Sequence, residues 1–221
     1  MVPIASPFRR GAPYGATIAP VDAYEEWDRR TAALLEEAYV AAGPGPGGSG
    51  ASDDSEGAWR AKRQHLAVPM DADGTWLDVG CANAHLLVTL PAWAAERGIT
   101  ISPHGLEVLP LVADLARAVH PELADVIWTG SVMTWDPPQR FRYVTALDDA
   151  VPPEHLGALV ERLLEAFVEP GGRLVMSTYT NAGEQPRPLF DDLGSAGHPP
   201  HGTIRIDRPG ASPLLTAWID R

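Results

Sequence analysis

The stretch Trp76-Leu-Asp-Val-Gly-Cys-Ala-Asn-Ala-His-Leu-Leu87 places a carboxylate, Asp78, two residues before a run of small side chains. Apolar residues lead into that run and follow it, so a strand passes through a tight turn directly into a helix. Such a turn lets a ligand approach the backbone, and a helix start offers N–H groups that have no partner inside the helix. The chemistry on offer is the holding of a compact polar ligand. Counting from Gly80, the first, third and sixth positions hold Gly80, Ala82 and His85. A dinucleotide-binding turn needs small residues at all three, the last for close packing of helix on strand, so His85 argues against a nicotinamide cofactor. Two further groups are chemically able. Glu107 ends the apolar segment His-Gly-Leu-Glu-Val (104–108), and a carboxylate accepts two donors at once. Asp148, Asp149 and His155 follow another apolar segment and offer acid–base chemistry close to neutral pH.

Regular elements must position these residues. Strands are predicted at about 75–79, 100–107, 124–130, 141–147 and 172–179, with helices at about 84–97, 109–119 and 154–168 between them. In the last helix Leu156, Leu159, Val160, Leu163, Leu164 and Phe167 form one apolar stripe. Alternation of this kind implies a parallel sheet with helices on both faces. GTIRIDR (202–208) and PLLTAWIDR (213–221) alternate and are joined by Pro-Gly-Ala-Ser, which predicts a closing antiparallel hairpin. The expected class is α/β: a doubly wound, mostly parallel seven-stranded sheet ending in an antiparallel hairpin, with extra N-terminal helices. Residues 70–221 form that core. Residues 1–20, rich in Pro and Gly, read as a flexible arm. Over 21–69, Tyr24, Trp27, Thr31, Leu34, Leu35 and Ala38 recur at helical spacing behind Asp22 and Glu25, and Trp59, Arg63 and Leu66 share one face of a second helix. Between them 43–57 has the composition of a flexible linker.

The segment Asp78-Val79-Gly80-Cys81-Ala82-Asn83-Ala84 resembles the first motif of class I S-adenosylmethionine-dependent methyltransferases, an acidic residue, any residue, then Gly-x-Gly-x-Gly. Two of the three glycines are alanine here, and Ala84 calls for a slightly wider turn. Further matches follow in family order over about residues 70–180. The resemblance implies that Asp78 and the turn Gly80, Cys81, Ala82 and Asn83 hold the methionine part of the cofactor. It implies that Glu107 binds both ribose hydroxyls, with Val108 beside it. Ser131 and Val132, in Gly-Ser-Val-Met (130–133), would line the adenine, although Ser131 stands where the family often has Asp. Leu147, Asp148 and Asp149 fall beside the reacting methyl group, which makes Asp149, His155 and Asp148 the expected catalytic or acceptor-binding residues. Val-Glu-Pro-Gly-Gly-Arg-Leu-Val-Met-Ser-Thr-Tyr (168–179) resembles the family's approach to the fifth strand, its Pro-Gly-Gly supplying a turn. Helices before the first motif often cover the acceptor in small-molecule members, so Trp27, Trp59 and Arg63 are the expected lid residues.

Charge and composition narrow the partners. The chain of 221 residues has 29 acidic against 17 basic side chains, a formal net charge of -12. Phosphate backbones repel such a chain, so no nucleic acid is expected as substrate. No apolar run reaches the about 20 residues of a membrane-spanning helix, and the first twenty residues have no apolar stretch behind Arg9 and Arg10, so neither membrane nor secretory signal is expected. A single cysteine fits a cytoplasmic protein. Cys81 reads as a small packing residue rather than a nucleophile. Val151-Pro152-Pro153 opens a helix, and His198 and His201 read as loop histidines, so no metal is expected. The expected function is methyl transfer from S-adenosyl-L-methionine to a small-molecule acceptor in a specialised biosynthetic pathway. A protein or peptide acceptor, and a cofactor-binding module without catalysis, are the alternatives, and the oligomeric state, with a homodimer one option, is open.

Overall fold

In the computed structural model, residues 21–50, 55–179, 187–208 and 210–221 are described; the arm expected over 1–20 lies outside them. Seven strands form one sheet in the order β3-β2-β1-β4-β5-β7-β6. They are β1 (Gly74–Val79), β2 (Ile101–Glu107), β3 (Ile127–Thr129), β4 (Phe141–Leu147), β5 (Val168–Thr178), β6 (Gly202–Arg208) and β7 (Ala211–Asp220). Strands β1 to β5 pair in parallel, whereas β7 runs antiparallel to β5 and β6 antiparallel to β7. The parallel sheet closed by a hairpin is the expected architecture.

The helices are α1 (Val21–Ala42), α2 (Glu56–Arg63), α3 (His85–Ala95), α4 (Pro110–Val119), α5 (Leu156–Arg162) and α6 (Leu189–Ser195). The sheet interior reads as near-continuous apolar runs because both faces are covered. On one face Leu77, Val144, Leu174 and Met176 pack with Leu156, Leu159, Val160 and Phe167. On the other, Trp76, Tyr143 and Val175 pack with Trp59, Leu87, Leu90 and Trp93.

Several boundaries differ from expectation. The helix expected over 154–168 is three pieces: a 3₁₀ turn at Pro153–His155, α5, and one wider π turn at Leu163–Phe167. Strand β5 begins at Val168, so Pro-Gly-Gly (170–172) lies inside it; Phe141 pairs with Val168 before a register shift. The stripe expected on α1 is also rotated. Tyr24, Ala32, Leu35 and Tyr39, at spacings of three, four and eight, face the domain, while Leu34 is 47% exposed. Of the stretch 43–57, residues 51–54 lie outside those described. Gly43–Gly50 form a turn with a 3₁₀ segment at Pro46–Ser49, in which Pro46 and Gly48 are buried.

Candidate functional site

The turn after β1 is held by its neighbours. Gly80 N–H and Cys81 N–H both donate to the carbonyl of Leu106 on β2, at 2.7 and 3.2 Å. Gly80 has φ 81°, and no atom lies within 4 Å of where a Cβ would stand, so the backbone faces open space there. Cys81 turns inward against Gly105, where a Cβ would come within 2.6 Å of its sulfur. Burial pushes its thiol pKa well up, and Glu107 and Asp78 push the same way, which suits packing rather than nucleophilic attack.

Ala82 and Ala84 take φ values of 49° and 66°, the left-handed region that favours glycine. An L side chain costs about 1–2 kcal/mol there. Both methyls are buried, which returns on the order of 0.8 kcal/mol each. Burial returns part of the cost, which helps the turn keep a glycine-like path with alanines. Between them, Asn83 is fully buried and uses all its hydrogen-bonding capacity. Its Nδ2 donates to the carbonyls of Gly43 and Gly45 at 3.0 and 2.7 Å, and its Oδ1 accepts from His85 N–H and from the Ser49 hydroxyl. The glycine-rich stretch is thereby fastened to the turn.

Asp78 is 8% exposed and receives the hydroxyl of Thr145 at 2.6 Å. That hydroxyl accepts the indole N–H of Trp76 at 2.9 Å, so its own proton points at the carboxylate. Burial lifts Asp78 to about 7; Thr145 and Arg63 pull it down, and Glu107 adds to the rise. Glu107, 4% exposed, accepts Ala82 N–H at 2.8 Å on one oxygen and Leu109 N–H at 2.9 Å on the other. Its pKa is raised by burial against these backbone donors. Val108 N–H adds a third backbone donor, which leaves one acceptor direction on the carboxylate for a further donor.

Helix α1 lies across the carboxyl ends of the strands. Ala32, Leu35 and Tyr39 pack on Ala82, Val108 and Leu109, and Tyr24 joins Val132 in the core. Asp28 accepts a hydrogen bond from the Ser131 side chain, which opposes the rise that burial imposes on its pKa. Burial drives the Tyr39 phenol up to about 12, with Asp149 and then Glu107 adding to the rise.

The residues after β4 are less united than expected. Asp148 is 2% exposed, and its Oδ2 lies 3.1 Å from Arg187 Nε. Burial raises its pKa to about 7, against the pull of Arg187. Leu147 is half-buried beside it, and Asp149 is exposed at its edge, although the atoms packed around its carboxyl still raise its pKa against the pull of Arg187. His155 packs edge-on against Tyr24, ring centroids 5.4 Å apart, and no hydrogen bond links it to either aspartate among the described residues.

The three expected lid residues divide. Trp27 sits half-buried on α1. Trp59 is 1% exposed and belongs to the packing of α2 on α3, its indole donating to Thr89 at 3.0 Å. Arg63 reaches the cleft: its guanidinium lies 3.7 Å from the ring centroid of Tyr179, just beyond β5, and its charge acts on Asp78. His198 and His201 are apart in role. His198 lies 4.0 Å from Glu161, and His201 Nδ1 accepts Asp220 N–H.

Thr145, Asp28, Tyr39, Arg187 and Tyr179 enter the site without having been expected there. Thr145 carries a readable signal, a hydroxyl in an otherwise apolar strand. The others depend on elements far apart in the chain.

No protein-family model matches the chain, and no curated protein compared with it matches in sequence. Solved structures match it in fold. Magnesium protoporphyrin IX methyltransferase from Synechocystis, solved with S-adenosylhomocysteine, is 12% identical with a TM-score of 0.59, over 90% of this chain and all (100%) of that one. Geranyl diphosphate C-methyltransferase from Streptomyces coelicolor, solved with Mg2+, geranyl diphosphate and S-adenosylhomocysteine, is 16% identical at 0.53, over 92% and 100%. The [4+2]-cyclase SpnF is 19% identical at 0.52, over 87% of this chain and 77% of that one. Matches to two further S-adenosylmethionine-dependent methyltransferases span 65% of those chains. The chain has the Rossmann-like fold of class I methyltransferases, a fold that also carries the cyclase.

Proposed function

We propose that this protein binds S-adenosyl-L-methionine and transfers its methyl group to a small-molecule acceptor. The observation that carries the reading is the pair Asp78 and Glu107: two buried carboxylates at adjacent strand ends, flanking a turn that faces open space. Buried like charges raise each other's pKa and call for a cation and for hydroxyl donors. The cofactor has both, an ammonium for Asp78 and a ribose hydroxyl for the open acceptor direction of Glu107. Arg63 is placed to take the methionine carboxylate, and Val108, Ser131 and Val132, under α1, to enclose the adenine.

When bound, S-adenosylmethionine supplies a methyl group on a positively charged sulfur, open to in-line displacement by an acceptor lone pair. The chain's part is to align and to exclude water. Alignment is worth about 7–11 kcal/mol, against about 3–5 for a general base. The packing of α1 over the strand ends fits the larger task. If the acceptor carries a proton, Asp149, accessible at the cleft mouth, is the group best placed to receive it. A specialised biosynthetic role and a cytoplasmic setting complete the proposal.

Calorimetric titration with S-adenosylmethionine and S-adenosylhomocysteine tests it. Both ligands stabilise the native state by mass action, and NAD does not. Tight binding of NAD with no response to either sulfur compound would overturn it, as would absence of methyl transfer to every acceptor in a broad metabolite screen.

A further inference from the structure

The closing hairpin brings a second cation to the edge where the parallel strands end. Because β7 runs against β5, Leu215 near its start lies opposite Thr178 at the end of β5. The end of β6 and the start of β7 therefore lie toward the same edge as Asp78 and Tyr179. Arg208 stands at that turn, its Nε and Nη2 donating to the carbonyl of Ser212 at 2.8 and 2.6 Å. This fixes the guanidinium plane and leaves Nη1 without a hydrogen bond among the described residues.

Acidic side chains outnumber basic ones 29 to 17, yet neither Arg63 nor Arg208 forms an ion pair with any described residue. The two are close enough that Arg63, after burial, lowers the pKa of Arg208, while Tyr179 opposes both. Tyr179 is within electrostatic reach of both. Arg63 lies over its ring and can donate to its oxygen, which opposes the rise burial gives the phenol, while the hydroxyl's own proton finds no acceptor among the described residues. Burial raises the phenol pKa, so it stays protonated and a donor. Two guanidiniums held close to one another beside a buried donor repel each other, and an anion joining them relieves that repulsion.

We infer that Arg208 and Tyr179 form an anion subsite for the methyl acceptor, and that the acceptor carries a carboxylate. The inference rests on the methyltransferase reading, in which Arg63 is engaged by the cofactor's own carboxylate. A single negative charge suits the place better than a phosphate dianion, because Asp78 lies near enough to act on Tyr179. The carboxylate accepts from Arg208 Nη1 and from the Tyr179 hydroxyl, and the rest of the molecule points toward the methyl group.

Ligand-observed NMR on the full chain, with and without S-adenosylhomocysteine, tests this with benzoate, phenylacetate and hexanoate against their primary amides. The acids should bind at least about tenfold more tightly than the amides, the worth of one charge-assisted hydrogen bond. Arg208→Gln and Tyr179→Phe should each erase most of that preference, and Arg208→Gln should leave S-adenosylhomocysteine affinity within about twofold, since Arg208 is not expected to touch it. Equal binding of acids and amides, or a preference that survives Arg208→Gln, overturns the subsite. Failure of S-adenosylhomocysteine to bind would instead overturn the methyltransferase reading, and the titrations of the free protein would still decide the subsite.

Discussion

The hydroxyl of Thr145 accepts from Trp76 and donates to Asp78 at 2.6 Å, so a residue of β4 favours the ionised carboxylate at the end of β1 against the burial that opposes it. Thr145→Val keeps the shape and removes both bonds. The indole N–H of the fully buried Trp76 then has no partner, and Asp78 loses its one hydroxyl donor. Stability should fall by about 1–3 kcal/mol, and S-adenosylhomocysteine affinity should fall with it because Asp78 becomes harder to ionise. Calorimetry of unfolding and of binding checks both; a variant that loses stability but keeps full affinity would show that Asp78 does not meet the cofactor's ammonium.

Asp78 also predicts a pH dependence. Burial lifts it from 3.8 to about 7. In the free protein its contribution to stability is therefore complete below about pH 4 and is lost as the pH rises through about 7, because the unfolded chain gives up the proton first. Cofactor binding runs the other way, since the ammonium needs the ionised form. Affinity for S-adenosylhomocysteine should rise through pH 7 and level off, falling about tenfold per unit on the acid side. Asp148 has a similar value, about 7. The profile should persist in Asp148→Asn and flatten in Asp78→Asn; the reverse result would assign the dependence to the wrong aspartate.

Glu107, proposed to bind the ribose, also holds the N–H groups of Ala82 and Leu109 with its oxygens. Glu107→Gln turns one acceptor into a donor facing one of those groups. The variant should lose about 1–3 kcal/mol of stability as well as cofactor affinity. Thermal unfolding and titration measured together check it, and loss of affinity at unchanged stability would mean that the turn finds other acceptors.

The sheet, its closing hairpin and the turn at Gly80 were legible because strand period, turn chemistry and helix period are local signals. Asp78 and Glu107 were legible for the same reason, each ending an apolar run. The cover over the site was not. Tyr39 and Asp28 belong to α1, about 40 to 100 residues before Ala82 and Ser131, and nothing in their spacing tells which helix face will meet them. Trp59 shows the opposite failure: an aromatic on an amphipathic helix suits a lid or a core equally, and here α3 takes it. The composition of 43–57 suggested a chain with nothing to pack, yet glycine carbonyls, bare of side chains, are what Asn83 grips.

That grip makes a prediction for Asn83→Ala. Gly43 and Gly45 lose their donor, the fastening of α1's end to the turn after β1 goes, and stability should fall by about 1–3 kcal/mol. Cleavage between Gly43 and Gly57 by a nonspecific protease should accelerate, and S-adenosylhomocysteine should protect the native chain more than the variant. Equal cleavage rates in both proteins would show that the contact does not hold this stretch in solution.

The last prediction separates Asp149 from His155. Asp149 is open to solvent at the end of β4, where the acceptor is proposed to sit, whereas the ring of His155 is set against Tyr24 of α1. An acceptor that must shed a proton would use Asp149, so Asp149→Asn should lower kcat by about 10²–10⁴-fold at saturating cofactor, the range for a lost general base. His155→Ala removes a prop beneath α1 instead. It should weaken the binding of cofactor or acceptor, raise KM and leave kcat near that of the parent, because α1 can still close once ligands are saturating. The two variants thus differ in which parameter moves, not only in how far. If His155→Ala lowers kcat while Asp149→Asn leaves it unchanged, the histidine is the proton acceptor and its contact with Tyr24 must open during turnover.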